Sequence, residues 1–334
     1  MPQSDKIPRP TRLGFLLTPG FALMSYAAMA EPFRAANVLS GVALYEWKAY
    51  SSGAPVVTAS NGAAIAVDGP LPEADALDVL FVCAGGNPAL YDDPSAFAAL
   101  RRLARQGGVR IGGTSAGPWL LARAGLLGGY RCTIHWEHRP AFIEAFPNLE
   151  VENGLYIIDR DRLTCAGGVA GLDLAIALIA ADHGEQLARM VGEWYIRANP
   201  RDGDAAQRAA LRERYGVSNE RLLAALALME SQGEDPIDRQ GLARRSGISV
   251  RQLERLARDQ LGETLSRTYL NIRLDRALAL LRETGLSVTT ISTACGFASA
   301  SHFSRSFRLR YGQPPTATRL RPGKPNSVAL RASG

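Results

Sequence analysis

The sequence predicts two domains, an α/β domain with a mostly parallel sheet followed by an all-α domain with two helix-turn-helix units. Strand-like apolar runs alternate with helical patterns over the first 197 residues. Two helix-turn-helix patterns then recur about 45 residues apart between positions 238 and 319. Residues 1–235 hold 21 Lys and Arg against 26 Asp and Glu, whereas residues 236–334 hold 17 against 6. An acidic body therefore precedes a basic module of the kind that binds phosphates.

The elements of the first domain are predicted from the period of its apolar residues. The continuous apolar run at 76–84 suits a parallel strand that is covered on both faces. Pro32 is expected to kink or restart the first helix. The predicted elements are, in order, a strand at 12–17, a helix at 22–39, strands at 45–51 and 76–84, a helix at 94–106, a strand at 109–113, a helix at 116–127, a hairpin of strands at 155–158 and 163–166, and helices at 171–183 and 186–196. Strands that alternate with helices imply a parallel sheet with helices on both faces.

Two glycine-rich loops follow predicted strands, at the edge where parallel sheets bind ligands. One is Gly85-Gly86-Asn87, and the other is Gly113-Thr114-Ser115-Ala116-Gly117. The second has the spacing Gly-x-Ser-x-Gly, which places its serine on a sharp strand-to-helix turn. Backbone N–H groups at the start of the next helix, at Ala116, favour a carboxylate or an oxyanion.

Ser115 admits three roles at this turn: a hydrolase nucleophile, a hydrogen-bond partner of a ligand, or a structural residue of the elbow. A serine hydrolase also needs a base. His135 and His138 follow Ser115 by 20 and 23 residues, and His183 follows it by 68. Hydrolases built on an α/β sheet usually place their histidine much later, after an acidic residue, and the domain is short for that fold.

The order of these motifs resembles the PfpI-like branch of the class I glutamine amidotransferase-like superfamily. The matching features are Glu31 on the first helix, Gly85-Gly86 after a central strand, the elbow at 113–117, and Thr133-Ile134-His135-Trp136 beyond the next helix. The resemblance implies a flavodoxin-like α/β fold. Enzymes of the superfamily have a cysteine at the elbow, often followed by histidine, where this chain has Ser115 and Ala116. Because a serine hydroxyl cannot imitate a low-pKa thiolate, the resemblance implies a ligand pocket without the reaction, in a protein that is not an enzyme.

The ligand-binding residues that this resemblance implies lie on the first helix and on the loops at the strand ends. They are Glu31, Gly86, Asn87, Ser115, Ala116, His135 and Trp136. The alternatives are a solvated charge at Glu31, and plain core or helix-cap roles for His135 and Trp136. His135 and His138 lack a third ligand for a metal ion, so neither a metal nor another cofactor is expected.

Aromatic residues flank these loops and indicate a class of ligand. Phe21, Tyr26, Tyr91 and Trp119 each suit ordinary packing, but together with an acidic residue they could hold a quaternary ammonium group through cation–π contacts. The helix start at Ala116 would hold the carboxylate of the same ligand. These residues therefore predict a small zwitterion as the effector.

The first helix-turn-helix unit covers residues 242–256. Its apolar residues recur at spacings that bury one face of two short helices, and Gly247 lies at the turn, where positive φ is needed. Ser249 is a good N-cap for the second helix. The exposed face of that helix carries Arg251, Gln252, Arg255 and Arg258.

The second unit repeats this plan. Val288, Ile291 and Ala294 mark its first helix, residues 295–297 form its turn, and residues 299–308 form its second helix. Phe303 and Phe307, four residues apart, face inward. The residues left outside are Ser299, Ser301, His302, Ser304 and Arg305. Between the units, a helix at 265–281 is long enough to separate the two second helices by one turn of DNA, ~34 Å.

Residues 262–315 resemble the DNA-binding domain of AraC/XylS-type transcription regulators. The matching residues are Gly262, Tyr269, Arg273, Ala277, Leu280, Leu281, Ile291, 294–297, 301–307, Tyr311, Gly312, Pro314 and Pro315. Thr318 departs from the pattern, because the family usually has a tyrosine before the closing Arg319. Joined to the PfpI-like domain, the whole chain resembles the GlxA family of transcription regulators, whose members commonly sense carnitine, glycine betaine, related methylamines or arginine.

The exposed residues of both second helices are the expected DNA contacts. Base-edge contacts are expected from Arg251, Gln252, Arg255, Ser301, His302 and Arg305. Phosphate contacts are expected from Arg258, Arg308 and Arg310, and the DNA-facing set also includes Ser299. The basic residues are nearly all arginines, which suits bidentate contacts to phosphate and guanine.

The expected domains are a PfpI-like ligand-sensing and dimerisation domain at 10–197, a linker at 198–217, an AraC-type DNA-binding domain at 218–320 and a disordered tail at 321–334. Helices are expected at 206–215 and 220–230, the second of which opens the DNA-binding domain. The polar, proline-broken start is unlike a signal peptide, and no run of 18 apolar residues indicates a membrane helix. Four widely spaced cysteines suit free thiols in a reducing cytoplasm.

The sequence therefore predicts a cytoplasmic transcription regulator, an activator, that binds a double-stranded DNA operator under control of a small-molecule effector. Its expected partners are a second copy of the chain and RNA polymerase, with no membrane. Two other functions stay open: a serine hydrolase or amidase that uses Ser115 and is tethered to DNA, and an architectural DNA binder without a ligand. The first leaves the basic tandem units unexplained, and the second leaves the sheet domain without a task.

Overall fold

The computed structural model describes residues 9–319 of the chain. It divides between Arg208 and Ala209 into two compact units, called here the α/β unit and the helical unit. The first eight residues and the tail predicted at 321–334 lie outside the described range. No helix within the described range is long and apolar enough to cross a membrane.

The α/β unit contains the strands β1 (Thr11–Leu17), β2 (Tyr45–Tyr50), β3 (Val56–Thr58), β4 (Ala64–Ala66), β5 (Val79–Ala84), β6 (Arg110–Ser115), β7 (Arg131–Cys132), β8 (Glu150–Val151), β9 (Tyr156–Asp159) and β10 (Arg162–Cys165). Its helices are α1 (Leu23–Ser40), α2 (Pro94–Gln106), α3 (Gly117–Arg123), α4 (Arg139–Ala145), α5 (Ala170–His183) and α6 (Glu185–Trp194). Strands and helices alternate along much of the unit, as the apolar periods predict.

Six of the strands form one sheet in the order β2-β1-β5-β6-β10-β9. Neighbouring strands in it are parallel, except that β9 at the edge pairs with β10 as an antiparallel hairpin. Two smaller sheets pair β3 with β4 and β7 with β8. The predicted flavodoxin-like fold, with its mostly parallel sheet and its hairpin, is therefore confirmed.

The core lies on both faces of the central strands. Every residue of β5 is buried, as expected for a parallel strand that is covered on both sides. Phe15 of β1 and Phe81 of β5 stack with their ring centroids 5.9 Å apart, in the same apolar cluster as the buried residues of α1 and α5. The carboxyl ends of β1, β5, β6 and β10 consequently meet at one edge of a rigid sheet.

Several elements of the α/β unit differ from the sequence prediction. α1 runs through Pro32 without ending, because the helix is held by packing against α5 and α6. α3 stops at Arg123 rather than 127, since Gly125 turns the chain with φ of +76°. β5 starts at Val79 rather than 76. The short β3, β4, β7, β8 and α4 were not predicted, because segments this short show little apolar periodicity.

All four cysteines are buried free thiols. Burial raises the pKa of the Cys132 and Cys165 thiols to about 12, and it also raises the pKa of Cys83. At pH 8 their thiolate fraction is thus about a thousandfold below that of an ordinary cysteine. We expect an aromatic disulfide reagent at pH 8 to leave the folded protein almost unmodified and to titrate four thiols after denaturation. One rapidly reacting thiol in the native protein would contradict this expectation.

The helical unit contains α7 (Leu211–Tyr215), α8 (Glu220–Ser231), α9 (Arg239–Arg245), α10 (Val250–Leu261), α11 (Leu265–Glu283), α12 (Val288–Ala294), α13 (Ala300–Tyr311) and α14 (Pro315–Thr318). α8 packs its buried Leu222, Leu226 and Met229 in one apolar cluster with residues of α9, α10 and α11. α11 spans 19 residues, about 28 Å at 1.5 Å per residue. The tandem arrangement predicted from the sequence is therefore present.

One helix of the predicted linker is shorter than expected. The sequence predicts a helix at 206–215, but α7 begins at Leu211. Ala206 instead forms a β-bridge with Gly154, and the side chain of Gln207 donates to backbone carbonyls of the α/β unit. These long-range hydrogen bonds override the local helical pattern, because they satisfy groups that a helix would direct elsewhere.

Candidate ligand pocket and DNA-binding helices

The elbow predicted from Gly-x-Ser-x-Gly is a sharp turn between β6 and α3. Ser115, the last residue of β6, has φ of +60° and is 8% exposed. A Cβ on Gly117 would lie 2.1 Å from the carbonyl oxygen of Val82, and one on Gly113 would lie 2.7 Å from the carbonyl carbon of Gly117. Both glycines are therefore required sterically, and the buried left-handed serine is held by the surrounding structure.

The loop between β10 and α5 closes one side of the elbow. A Cβ on Gly167 would come within 2.7 Å of the Ser115 Cβ and within 2.8 Å of the Ser25 Oγ. The Gly168 N–H donates to the same Ser25 Oγ, at 2.8 Å. Ser25, buried in the first turn of α1, thus belongs to the elbow, although the sequence reasoning did not select it. Its position just after the end of β1, at the ligand-binding edge of the sheet, is the signal that could have found it.

The second predicted loop packs against the segment that follows β1. A Cβ on Gly85 would lie 2.6 Å from the carbonyl oxygen of Gly20, so the two loops touch through their backbones. Gly86 has φ of +61°. The side-chain oxygen of Asn87 accepts from the Ala89 N–H at 3.0 Å and caps a short helical turn. Asn87 therefore caps a helical turn, a structural role that the sequence did not predict in addition to ligand binding.

His135 and Trp136 lie beside the elbow. The His135 N–H donates to the Ser115 carbonyl oxygen at 3.3 Å. Burial lowers the pKa of the His135 imidazole, and His138 lowers it further, so the ring is neutral at pH 7. Trp136 is 41% exposed, with its ring centroid 5.3 Å from that of His135. The guanidinium of Arg208 lies 4.5 Å from the Trp136 ring centroid.

The structure places Glu31 outside this cluster. Glu31 is six residues beyond Ser25, about 9 Å along the helix axis. Its exposed carboxylate pairs with Arg34 at 2.7 Å and accepts from the Tyr195 hydroxyl at 3.2 Å. These contacts give the Glu31 carboxylate two partners on the outer face of α1, and its ligand-binding role stays a prediction.

The four aromatic residues predicted to flank the pocket are packing residues. Phe21 and Trp119 are almost completely buried. Tyr26 makes edge contacts with Phe15 and Phe21, at centroid distances of 5.4 and 5.8 Å. Trp119 packs on Phe142 and Phe146, and Tyr91 packs on Phe97. They form no shared aromatic box, and Trp136 is the most exposed of the predicted aromatic residues.

A cavity of about 200 Å³ lies elsewhere in the α/β unit. It is lined by Ser51 and Ser52 after β2, Leu71, and Ser95 and Arg102 of α2, among others. None of the predicted ligand residues lines it. We place the candidate site at the elbow rather than at this cavity, because the elbow joins a strained serine, a neutral histidine and an exposed tryptophan at the carboxyl edge of the sheet.

The first helix-turn-helix unit presents its basic face on α10. Leu253 and Ala257 are buried, while Arg251, Gln252, Arg255 and Arg258 are exposed. Ser249 and Gln252 form a capping box, in which the Gln252 side-chain oxygen accepts from the Ser249 N–H at 3.0 Å. That oxygen therefore fixes the start of the helix, and a base contact by Gln252 would use its amide nitrogen.

The second unit presents α13. Phe303 and Phe307 are buried, and the exposed face carries Ser301, His302, Arg305, Arg308 and Leu309. Ser299 caps this helix by accepting from the His302 N–H at 3.2 Å. Arg310, predicted as a phosphate contact, instead pairs with Asp275 of α11 at 2.8 Å. Within residues 9–319, Arg251, Arg255, Arg258, Arg305 and Arg308 form no ion pair.

The turn of the second unit is held by an arginine of α11. Arg273 donates to the carbonyl oxygens of Cys295 and Gly296, at 2.7 and 2.5 Å. Its guanidinium also lies 4.2 Å from the centroid of the Phe297 ring. Gly296 has φ of +70°, and a Cβ there would lie 2.4 Å from Pro236. These contacts fix the angle at which α13 leaves α12.

The His135 and His138 rings lie 5.9 Å apart between centroids. No group of three or more His, Cys, Asp or Glu side chains suited to a metal ion occurs in the described residues. The neighbourhood of the elbow is thus built from hydroxyl, imidazole, indole and backbone groups. These groups bind small polar molecules by hydrogen bonds and ring contacts.

Two tandem helix-turn-helix units with exposed basic faces define the class of this protein as a DNA-binding regulator. Residues 11–181 match the DJ-1/PfpI family, and residues 242–321 match a helix-turn-helix domain family. The HTH-type transcriptional regulator GlxA of Rhizobium meliloti is 44% identical over 313 residues, which cover 93% of this chain and 96% of that protein. The HTH-type transcriptional regulator CdhR of Pseudomonas aeruginosa is 44% identical over 305 residues, covering 91% and 90%.

A solved structure is similar to part of this chain. The crystal structure of an AraC family transcriptional regulator from Pseudomonas putida matches with a TM-score of 0.51 at 28% identity, over 56% of this chain and 100% of that chain. This chain belongs to the GlxA-type HTH transcriptional regulators, in which a DJ-1/PfpI domain precedes an AraC-type DNA-binding domain. The resemblances found in the sequence are thereby confirmed. The relatives are regulators rather than enzymes, although the DJ-1/PfpI fold also includes enzymes.

Proposed function

We propose that this protein is a transcription activator whose DNA binding is controlled by a small zwitterionic metabolite held at the Ser115 elbow. The observation that carries the proposal is that one chain contains both features. α10 and α13 have exposed basic faces, and the elbow has a strained and enclosed serine. In this proposal Arg251, Arg255 and Arg305, exposed on α10 and α13, contact bases, and Arg258 and Arg308 contact phosphates. The protein would act as a homodimer in the cytoplasm and would contact RNA polymerase at the promoter.

Several groups around the elbow support a zwitterionic ligand. Ser25 and Ser115 bring hydroxyl groups, and His135 brings a neutral imidazole. The exposed face of Trp136 already carries a cation, the guanidinium of Arg208, at 4.5 Å. A quaternary ammonium group would find the same ring favourable. In this proposal Trp136 therefore takes the place of the aromatic box that the sequence predicted from Phe21, Tyr26, Tyr91 and Trp119.

A hydrolase that uses Ser115 is less well supported. The hydrogen bond between His135 and Ser115 joins backbone atoms, and His135 Nδ1 accepts from the Glu137 N–H at 3.4 Å. In the described part of the chain, the His135 ring forms no hydrogen bond with the Ser115 hydroxyl. A general base needs that contact to activate the nucleophile.

A thermal-shift screen of the full chain tests the proposed control. The panel would include glycine betaine, carnitine, dimethylglycine, arginine, choline and keto acids. A ligand at 100 times its Kd adds about 2.7 kcal/mol of stability, which is readily measured. Stabilisation by betaines, followed by a change in DNA affinity with the same compound, supports the proposal. A strong response to neutral aromatics or sugars alone contradicts the ligand class.

Ser115→Ala is expected to weaken glycine betaine binding about tenfold, the effect of one lost hydrogen bond. The substitution leaves the left-handed backbone in place and removes only the hydroxyl. Calorimetry with glycine betaine measures the change, and DNA affinity without ligand should stay at the wild-type value. Unchanged ligand affinity would remove Ser115 from the site and leave it as a residue of the elbow.

Arg305→Ala is expected to lower discrimination at one base step by about 1–3 kcal/mol. Arg305 lies on the exposed face of α13, one turn beyond Ser301, where a guanidinium can read a guanine edge. Competition binding on duplexes selected from a random pool measures the effect. Arg258→Ala is the matched control, because loss of a phosphate contact weakens all sequences alike. A uniform loss in Arg305→Ala would contradict base reading.

A further inference from the structure

Residues 196–208, called here the strap, run from the end of α6 to the last residue of the α/β unit. The next residue, Ala209, opens the helical unit. The strap is not a free linker, because the structure ties it to the α/β unit at separate places. Each tie involves a residue that lies within five positions of Gly168 or His135, and these two residues contact the residues of the elbow.

The first tie is the carboxylate of Asp173, whose side chain is completely buried in the first turn of α5. It accepts from Arg197 Nε at 3.2 Å, and from the Arg201 guanidinium at 3.1 and 2.7 Å. The Arg201 backbone N–H donates to the same carboxylate at 3.0 Å. Asp173 lies five residues after Gly168, whose N–H is bonded to Ser25 in the elbow. The tie therefore begins where the loop of the candidate pocket ends.

The second tie is the side-chain amide of Gln207. Its Nε2 donates to Thr133 Oγ1 at 3.1 Å, to the Ile134 carbonyl at 3.0 Å and to the Gly154 carbonyl at 2.8 Å. Its Oε1 is buried without a hydrogen-bond partner in the described residues. Burying the unsatisfied Oε1 costs free energy, which offsets part of the stabilisation from the hydrogen bonds that Nε2 donates. This tie is therefore weaker than its hydrogen bonds alone indicate. Ile134 directly precedes His135, the neighbour of Ser115.

The third tie is the stack of the Arg208 guanidinium on Trp136, 4.5 Å from the ring centroid. Trp136 follows His135 in the same segment. Arg208 thus occupies, from within the chain, the face of the ring that a cationic ligand would prefer. A cationic ligand would therefore compete with the Arg208 guanidinium for the Trp136 ring. Arg208 is also the last residue before the helical unit.

The start of the strap is strained. Ile196 has φ of +56° and is 96% exposed. A β-branched residue rarely adopts this conformation, and it persists only where neighbouring contacts impose it. Arg197, the next residue, is the one bonded to Asp173. The fastened strap therefore stores strain that its release would relieve.

We propose that the strap couples the elbow to the helical unit, and that a ligand ammonium group acts by displacing Arg208 from Trp136. The displaced strap loses Gln207 from the segment at 133–134, and the chain entering the helical unit at Ala209 is no longer held. Ligand occupancy then changes DNA affinity through two arrangements of one segment. This inference rests on the proposed function for the location of the ligand.

The test uses the full chain with Gln207→Ala and Arg208→Ala, and Gln186→Ala of α6 as a matched control at an exposed glutamine. Glycine betaine is the probe, and the DNA is a duplex selected by the wild-type chain from a random pool. Both strap variants should show DNA affinity shifted about fivefold or more without the probe, toward the wild-type value measured with it. Their residual response to the probe should fall below twofold. Hydrogen exchange at 203–208 should rise in Gln207→Ala but not in Gln186→Ala.

Arg208→Ala has a further signature that loss of structure cannot imitate. Because Arg208 competes with the ligand, its removal should tighten glycine betaine binding about fivefold. Strap variants that match Gln186→Ala in DNA affinity and in probe response overturn the inference, whatever their Tm. If glycine betaine binds neither wild type nor variants, the proposed ligand class fails. The coupling through the strap is then tested by the DNA affinity of the strap variants without the probe. A shifted affinity supports the coupling, and the wild-type affinity overturns it.

Discussion

Gly117→Ala is expected to destabilise the α/β unit strongly. The added Cβ would lie 2.1 Å from the carbonyl oxygen of Val82, far inside the contact distance of the two atoms. Val82 belongs to the fully buried β5, so the obstacle is backbone in the middle of the sheet rather than a flexible side chain. Relief would require β5 and α3 to separate at the elbow. We expect a loss of about 4 kcal/mol or more, at the upper end of single-residue effects.

Circular dichroism and thermal denaturation of the full chain measure this effect. Gly128→Ala is the matched control, since Gly128 is exposed and a Cβ there meets no atom within 4 Å. The control should melt within about 1 °C of wild type. A folded Gly117→Ala protein with wild-type Tm would show that the elbow is looser than its backbone contacts indicate. The candidate site would then lack the rigidity on which ligand selection depends.

Asp173→Ala is expected to destabilise the α/β unit by about 3 kcal/mol. The carboxylate is fully buried and receives the Arg197 and Arg201 side chains and the Arg201 backbone N–H. Removal leaves two guanidinium groups without their partner in a largely desolvated place. Because both arginines are about one-third exposed, water limits the loss to the low end of the usual range. For a unit of this size, Tm should fall by about 6–12 °C.

Asp204→Ala, at an exposed aspartate of the same segment, controls for the loss of one negative charge. Asp173→Asn separates shape from charge, since an amide keeps the volume but cannot accept from both arginines as a carboxylate does. It should lie between wild type and Asp173→Ala in Tm. Equal Tm for Asp173→Ala and Asp204→Ala would mean that the two arginines find equivalent partners elsewhere. The first tie of the strap would then carry little energy.

The sequence by itself determined the features that depend on local spacing. The alternation of apolar runs predicts the sheet, and Gly-x-Ser-x-Gly predicts an elbow whose glycines the structure shows to be sterically required. The helix-turn-helix units follow from residues such as Ser249 and Gly296, whose N-cap and turn hydrogen bonds involve neighbours within a few positions. Recognition of Arg251, Arg255 and Arg305 as exposed needs only the helical period of α10 and α13.

The tertiary structure alone decided which of these residues meet. Glu31 has the right chemistry for a pocket, yet Arg34 and Tyr195 hold it on the outer face of α1. Ser25 has no local signature, yet the loop after β10 brings Gly168 onto its hydroxyl. Residues 206–210 have a helical pattern, but Gln207 reaches a segment more than seventy residues away in sequence. Such contacts follow from the packing of distant elements, and local patterns carry no information about which elements will be neighbours.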